Sequence, residues 1–346
     1  MKPSGKGFRL QWHITNRCNF RCKHCYHTSY DDEEELTLQE LKNVFHQFLE
    51  LDEDRKNISL TGGEPFLRKD FLSLLSYISK HKNNLNLDIM TNGSLLTEAL
   101  LKQLKRRAPL VRKLQISVEG PEKVNDVIRS KGSFRKIFHA VKLVQNHGYP
   151  VNLAATVSKA NHKKIFELLD LLLIYNVPLA IQRLVPIGNS QDKKNLLSPQ
   201  ELKSFYEKCR ELNSDYKLKG SSNGNLKPIR ISNCKHLLRY SQWPEEKQNY
   251  CAVREKKIIV VMPNGDVYPC RILPIKLGNV KKNTLKEICE GPYRQFTQKE
   301  KQALRCQKCP AYPLCEGGAP CVSYAVTGNF YARDPQCWQS FPKNNS

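Results

Sequence analysis

Six times in roughly the first two hundred residues, a short apolar run of period two gives way to an amphipathic stretch of period 3.6. A chain patterned this way is predicted to fold as layered α/β structure. In the first unit Phe8, Leu10, Trp12 and Ile14 alternate with polar residues. Thr37-Leu38-Gln39-Glu40 then reads as a capping box opening a helix, with Leu41, Phe45, Phe48 and Leu49 on one face. Further strands are predicted over residues 57–61, 85–90, 113–118, 151–157 and 179–185. The helices between them cover a segment with Phe71, Leu74, Leu75 and Ile78 on one face, then residues 97–107, 133–147 and 161–175. A last helix opens at Ser198-Pro199-Gln200-Glu201, with Ser as N-cap, Pro at the first helical position and Glu at the third. Six βα units in a row predict a partial (β/α)6 TIM-like barrel, short of the eight units that close one. Chemistry in such barrels sits at the C-terminal ends of the strands. The motifs stand there: a cysteine loop after strand one, Gly62-Gly63-Glu64-Pro65 after strand two, Thr91-Asn92-Gly93 after strand three, and Ser117-Val118-Glu119-Gly120 at the end of strand four. All four should share one rim.

The cysteine loop carries Cys18, Cys22 and Cys25 at spacing C-x3-C-x2-C. Three thiolates this close can each bind a different iron of one [4Fe–4S] cube and leave the fourth iron open. A structural zinc would want four ligands, and no fourth Cys or His follows at a ribbon-like spacing. A second cysteine-rich region begins with Cys251 and Cys270. These bracket apolar runs around Pro263-Asn264-Gly265-Asp266, a strong hairpin signal. Then come Cys306-x2-Cys309-x5-Cys315-x5-Cys321 and, after a gap, Cys337. Cys209 shares a helical face with Phe205 and Leu212, and Cys289 lies in a short helix; both read as core residues. Cys234 reads either as a buried small residue or as a further ligand.

Thirteen cysteines in 346 residues would suggest disulfides in a short exported chain. Here residues 1–12 contain no apolar signal-like segment, and no window approaches 18 uninterrupted apolar residues. Metal ligation in the cytoplasm, away from membranes, is the expectation. Residues 214–228 are rich in Lys, Gly, Ser and Asn and read as a linker, dividing the chain into residues 1–220 and 221–346. The formal charge is +23. Eleven thiolates holding three cubes would bring roughly −5 with the clusters, leaving the chain strongly basic. Such a surface can attract an acidic electron carrier, an acidic peptide or nucleic acid; the plainer reading is a Lys-rich solvated surface.

The cysteine loop resembles the signature of the radical S-adenosylmethionine (SAM) superfamily, with His24 where an aromatic residue is common. The resemblance implies that SAM chelates the open iron through its amino and carboxylate groups. It also implies reductive cleavage to a 5′-deoxyadenosyl radical and hydrogen abstraction from a substrate. Alone, Gly62-Gly63 is an ordinary turn that lets backbone approach a ligand. In this family the run Gly62, Gly63, Glu64, Pro65 resembles the motif that holds the amino group of SAM. Thr91 and Asn92 share that rim. Ser117 and Glu119 resemble an S-x-D-G pattern with Glu in place of Asp. Arg129 resembles the family's arginine near the SAM carboxylate, a surface ion pair being the competing reading. Asn161 reads as an N-cap, and Gly188-Asn189 either as a wall of the adenosine or substrate site or as a turn.

The second region resembles the SPASM extension, which carries twin auxiliary clusters in peptide-modifying members. The spacing from Cys315 to Cys321 departs from the usual pattern, with five intervening residues instead of three. By this resemblance Cys306, Cys309, Cys315 and Cys337 hold one auxiliary cube, and Cys251, Cys270 and Cys321 another that Cys234 could complete. The implied function is a radical SAM oxidoreductase maturing a peptide or protein. Alternatives are a tetrapyrrole or other small-molecule maturase, and an iron–sulfur electron-transfer or scaffold protein. Flavodoxin or ferredoxin is the implied electron donor, and nucleic acid is not among the expected partners. Formylglycine-forming relatives carry Asp directly after the cysteine ending the hairpin, whereas Arg271 follows Cys270. Strand one begins at about residue 8, so a leader peptide is expected to bind elsewhere or through a separate leader-peptide-binding protein.

Overall fold

A computed structural model describes residues 7–31, 34–81, 85–218, 229–231, 251–298, 304–309 and 312–339. Seven strands run parallel in sequence order: β1 Phe8–His13, β2 Lys56–Thr61, β3 Leu85–Thr91, β4 Val111–Ser117, β5 Val151–Val157, β6 Leu179–Arg183 and β7 Ile229–Ile231. Alternation along each strand sorts residues to two faces. Leu10 and Trp12 of β1, Ile58 and Leu60 of β2, Leu87 and Ile89 of β3 and Leu153 of β5 enter one continuous apolar core. The intervening residues, among them Gln11, Met90, Gln115, Ala154 and Gln182, face the interior of the curled sheet and line cavities there.

The predicted helices form with one exception, and a further helix, over residues 122–128, arises where the periodicity predicts none. Helix α1, Leu38–Leu49, begins with the Thr37/Glu40 capping box and buries Leu41, Val44, Phe45 and Phe48. Helices α2 Phe71–Ile78, α3 Glu98–Arg107, α4 Glu122–Ile128 and α5 Ser133–Asn146 follow. The single helix predicted over 161–175 is instead a run of turns, a 3-10 turn Ile165–Leu168 and a short α6, Leu169–Ile174. Asn161 is not a helix cap. Its buried amide donates to the carbonyls of Glu119 and Thr156 and accepts from the Ser158 N–H, so local side chain–backbone bonds displace the first helical turns. Helix α7, Pro199–Leu218, runs through the first five residues of the expected linker, which contain neither Gly nor Pro.

The expected hairpin is present as β8 Ile258–Val261 and β9 Asp266–Tyr268, turning through Gly265 at φ +88°. β9 pairs in turn with β10, Gly278–Asn279. The hairpin does not stand apart from the barrel. β8 lies parallel to β1, with Arg9 opposite Ile258, and β7 adds to β6 beyond residue 220. The sheet order is β10-β9-β8-β1-β2-β3-β4-β5-β6-β7, one continuous surface with two free edges. Its curvature is measured by Arg271, whose guanidinium reaches both Gln11 of β1 and Gln182 of β6.

Candidate metal and cofactor centre

The cysteine loop starts where β1 ends, and its entry is pinned from three sides. Glu35 accepts from the Thr15 hydroxyl and the Asn16 N–H at 2.6 Å each. Buried Arg68 donates to the carbonyls of Ile14 and Leu36 and pairs with Glu35 and Asp70. The Asn92 amide N–H donates to Asn19 Oδ1, which fastens the loop to the turn after β3. On the far side Asn189 N–H donates to the Cys25 carbonyl at 2.9 Å, and Gly188, at φ +60°, lies so close to Tyr26 that a Cβ would strike its carbonyl. Gly188-Asn189 therefore supports the cysteine loop's backbone rather than lining the cavity.

Cys18, Cys22 and Cys25 open on a cavity of about 160 Å³. None is in a disulfide. Burial, with the neighbouring Cys25 adding to it, raises the thiols of both Cys18 and Cys22, the latter to about 11. Coordination would relieve that penalty, because a metal-bound thiol is deprotonated outright. Gly62 and Gly63 form the adjacent wall, where a Cβ would collide with the Thr15 and Arg17 carbonyls.

Glu64 and Pro65 stand behind this wall. Glu64 is fully buried, and its two oxygens accept from the Thr91 hydroxyl and the Asn92 N–H at 2.8 Å each, with Phe66 N–H at 3.3 Å. It is a strut between the turns after β2 and β3, and burial raises its carboxyl to about 7 against those donors. Thr91 and Asn92 line the cavity, as do Ser117, Glu119 and Arg129. Glu119 is buried and accepts from Arg129 at 2.9 Å, His24 at 3.1 Å and the Thr156 N–H at 2.8 Å. Burial alone would raise its carboxyl, but His24, Arg129 and that N–H outweigh it and hold the group below the usual range. Arg129 is thus half of a buried pair, not a surface one, and its Nε has no partner.

Seven of the nine remaining described cysteines fall into two sets. Cys321 feels the charges of Cys270 and Cys251, while Cys306 and Cys315 are each influenced by Cys337, with Cys309 also near Cys306. Cys270, Cys251 and Cys321 line a second cavity of about 360 Å³. Among the described residues no three His, Cys, Asp or Glu side chains converge tightly enough for a single metal ion. Free thiols in such wider groups suit polynuclear clusters. Cys234 lies outside the described residues, whereas Cys209 and Cys289 pack into the apolar core. The second region is bolted to β6 by a buried pair, Arg183 with Asp334 at 2.6 Å, and Asp334 also accepts from the Ala319 N–H.

Several residues on the cavity wall carry no motif: Gln11, Met90, Gln115, Gln182 and Arg271 line both cavities. The inward parity of β1, β3, β4 and β6 could have found the first four, but the reach of Arg271 has no local signal.

A partly open βα barrel with a cysteine trio at its rim and cysteine sets beside it defines an iron–sulfur enzyme architecture. Residues 12–172 match the radical SAM superfamily, and residues 251–310 match SPASM, an iron–sulfur cluster-binding domain. The chain carries a radical SAM domain and, C-terminal to it, a SPASM domain. It is an enzyme whose cofactors are SAM, a SAM-binding [4Fe–4S] cluster and auxiliary iron–sulfur clusters. Among similar proteins, the AdoMet-dependent heme synthase of Methanosarcina barkeri is 27% identical over 95% of both chains. The mycofactocin maturase MftC of Mycolicibacterium smegmatis is 26% identical over 95% of this chain and 82% of its own. Among solved structures, Streptococcus suis SuiB bound to precursor peptide SuiA superposes with a TM-score of 0.74 at 18% identity, over 96% of this chain and 76% of that one. No described helix is long and apolar enough to cross a membrane.

Proposed function

We propose that the enzyme modifies a peptide or protein in the cytoplasm by SAM-dependent hydrogen abstraction. The observation that carries this reading is the continuity of the bore. The trio's cavity and the cavity beside Cys251, Cys270 and Cys321 share Gln11, Met90, Gln115, Ala154, Gln182, Arg271 and Ile272 as walls. A substrate segment threaded there would lie between the rim and an auxiliary site. The names of two similar proteins, a maturase and a protein solved with its precursor peptide, support a peptide.

In this reading Cys18, Cys22 and Cys25 hold the SAM-binding cube. Cys306, Cys309, Cys315 and Cys337 hold one auxiliary cube, and Cys251, Cys270 and Cys321 the other, with Cys234 a candidate to complete it. When bound, the group supplies reductive cleavage of SAM and the hydrogen abstraction that follows. The chain's residues orient and enclose. Gly62 and Gly63 would let backbone approach the amino end of SAM, Thr91, Asn92 and Ser117 would wall its site, and Arg129, steered by Glu119, would hold its carboxylate. Glu64 and Pro65 fix that wall from behind. In the same reading the chain divides into a radical SAM core, residues 1–220, and a SPASM domain, residues 221–346. A flavodoxin or ferredoxin would deliver electrons, and a separate protein could present a leader peptide.

The heme synthases among the similar proteins favour a second reading, a tetrapyrrole maturase. Anaerobically reconstituted, reduced enzyme should be given SAM with synthetic peptides encoded beside its gene, or with coproporphyrin III and its iron complex. Peptide-dependent 5′-deoxyadenosine and a mass change in the peptide are expected. Turnover only with the tetrapyrrole would transfer the assignment to the second reading. No SAM cleavage by fully loaded protein would leave an electron-transfer or scaffold role.

A further inference from the structure

Arg271 is a cation in the bore with which no carboxylate pairs among the described residues. Its side chain leaves Cys270 and ends between two amides on opposite sides of the barrel, donating to Gln11 Oε1 at 3.1 Å and Gln182 Oε1 at 2.6 Å. Gln182 is itself fixed through its donation to the Thr156 hydroxyl. Among the described residues no carboxylate pairs with the guanidinium, which has five N–H donors to satisfy. Beside it Gln11, only 2% exposed, lines both cavities, and its buried Nε2 has no hydrogen-bond partner among the described residues. The positive field is felt nearby: the charge of Arg271 works against protonation of both His13 and Arg9.

The unmet buried N–H of Gln11 is costly, and the guanidinium fork of the partly exposed Arg271 fits a carboxylate. Both donor groups lie where the two cavities meet. We infer that Arg271 and Gln11 form a carboxylate-binding subsite, so that the substrate enters the bore with a carboxylate anchored between the cysteine-trio cavity and the auxiliary one. The inference rests on the proposed function and adds to it a class of substrate, one bearing a carboxylate. Both a peptide acid and a propionate-bearing macrocycle carry that chemistry.

The test uses cluster-loaded full-length protein and a fluorescent pair of equal shape, dansylglycine and dansylglycinamide. Wild type should bind the acid at least tenfold more tightly than the amide. Arg271→Gln should reduce that preference to within about twofold, and Arg271→Lys should keep part of it. Equal binding of acid and amide by wild type would overturn the subsite. So would a preference that survives Arg271→Gln, since surface lysines would then be its source. If Arg271→Gln fails to retain iron, Gln11→Met with its iron retained decides: a preference cut at least threefold supports the subsite, and an unchanged one overturns it. Displacement of dansylglycine by coproporphyrin III would identify a macrocycle as the carboxylate's source, and displacement by N-acetyldiglycine alone a peptide; displacement by neither overturns the subsite. SAM binding is measured on the same samples, so a failed SAM site and a failed carboxylate site are told apart.

Discussion

Glu64 looks from its motif like a contact to SAM, and its environment makes it a strut. Both oxygens are taken by Thr91, Asn92 and Phe66. Glu64→Gln would put an amide N–H against one of those donors, shifting the Thr91-Asn92 wall. The SAM dissociation constant should rise roughly 10- to 100-fold, the range of one or two lost charge-assisted bonds. Iron content should not change, because Glu64 is no ligand; a variant with wild-type SAM affinity would show that the wall does not depend on the strut. A pH signature goes with it. The folded carboxyl titrates near 7 against an ordinary value of 4.5, so between those values the folded state holds a proton that the unfolded chain has released. Stability from Glu64 is therefore full below about 4.5 and lost as pH rises through 7. Melting of SAM-free enzyme should fall more steeply from pH 5.5 to 8 in wild type than in Glu64→Gln; parallel slopes would contradict the assignment.

The elements that frame the site are held by a few long-range joints. Arg183 at the end of β6 and Asp334 near the C-terminal end of the described chain are almost wholly buried, and Gln336 extends the joint to the Leu197 carbonyl. Removing one member of such a pair leaves a buried charge uncompensated, a loss of about 3–5 kcal/mol. Arg183→Met should lower the midpoint of chemical unfolding accordingly and deplete auxiliary iron, because Asp334 also fixes Ala319, two residues before Cys321. Full iron with an unchanged midpoint would argue against this role. Gly188 makes the complementary joint from the loop after β6 to the cysteine loop. Gly188→Ala adds a methyl against the Tyr26 carbonyl at a left-handed backbone angle. The SAM-binding cluster should be lost selectively, seen as roughly four fewer irons per chain.

For the whole molecule, the three cysteine sets should fill independently. Reconstituted enzyme is expected to hold about twelve iron and twelve sulfide per chain, and the triple change Cys18→Ala, Cys22→Ala, Cys25→Ala about eight, with SAM cleavage abolished. Near four iron, or stoichiometric zinc, would remove the auxiliary pair from the account. The net charge of +23 bears on delivery of electrons. If it steers an acidic flavodoxin or ferredoxin, association should slow steeply with salt, since exposed charges are screened over about 8–10 Å at 0.1–0.15 M. A rate indifferent to salt would leave the lysines as a solvated surface.

The order of strands and helices, the rim motifs and the cysteine spacings are legible in the sequence because each depends on near neighbours. The Thr37/Glu40 box and the inward parity of Gln11 need only a few adjacent residues. One local signal misled: Asn161 has a cap's chemistry, but its amide is taken by the carbonyls of Glu119 and Thr156, which pattern does not show. Tertiary packing alone decided the rest. Spacing cannot say that the hairpin would add to the edge of β1, or that Glu64 would turn inward while Arg271 crosses the bore. Each of these depends on surfaces that meet only once the chain is folded, often more than a hundred residues apart, where periodicity has no reach.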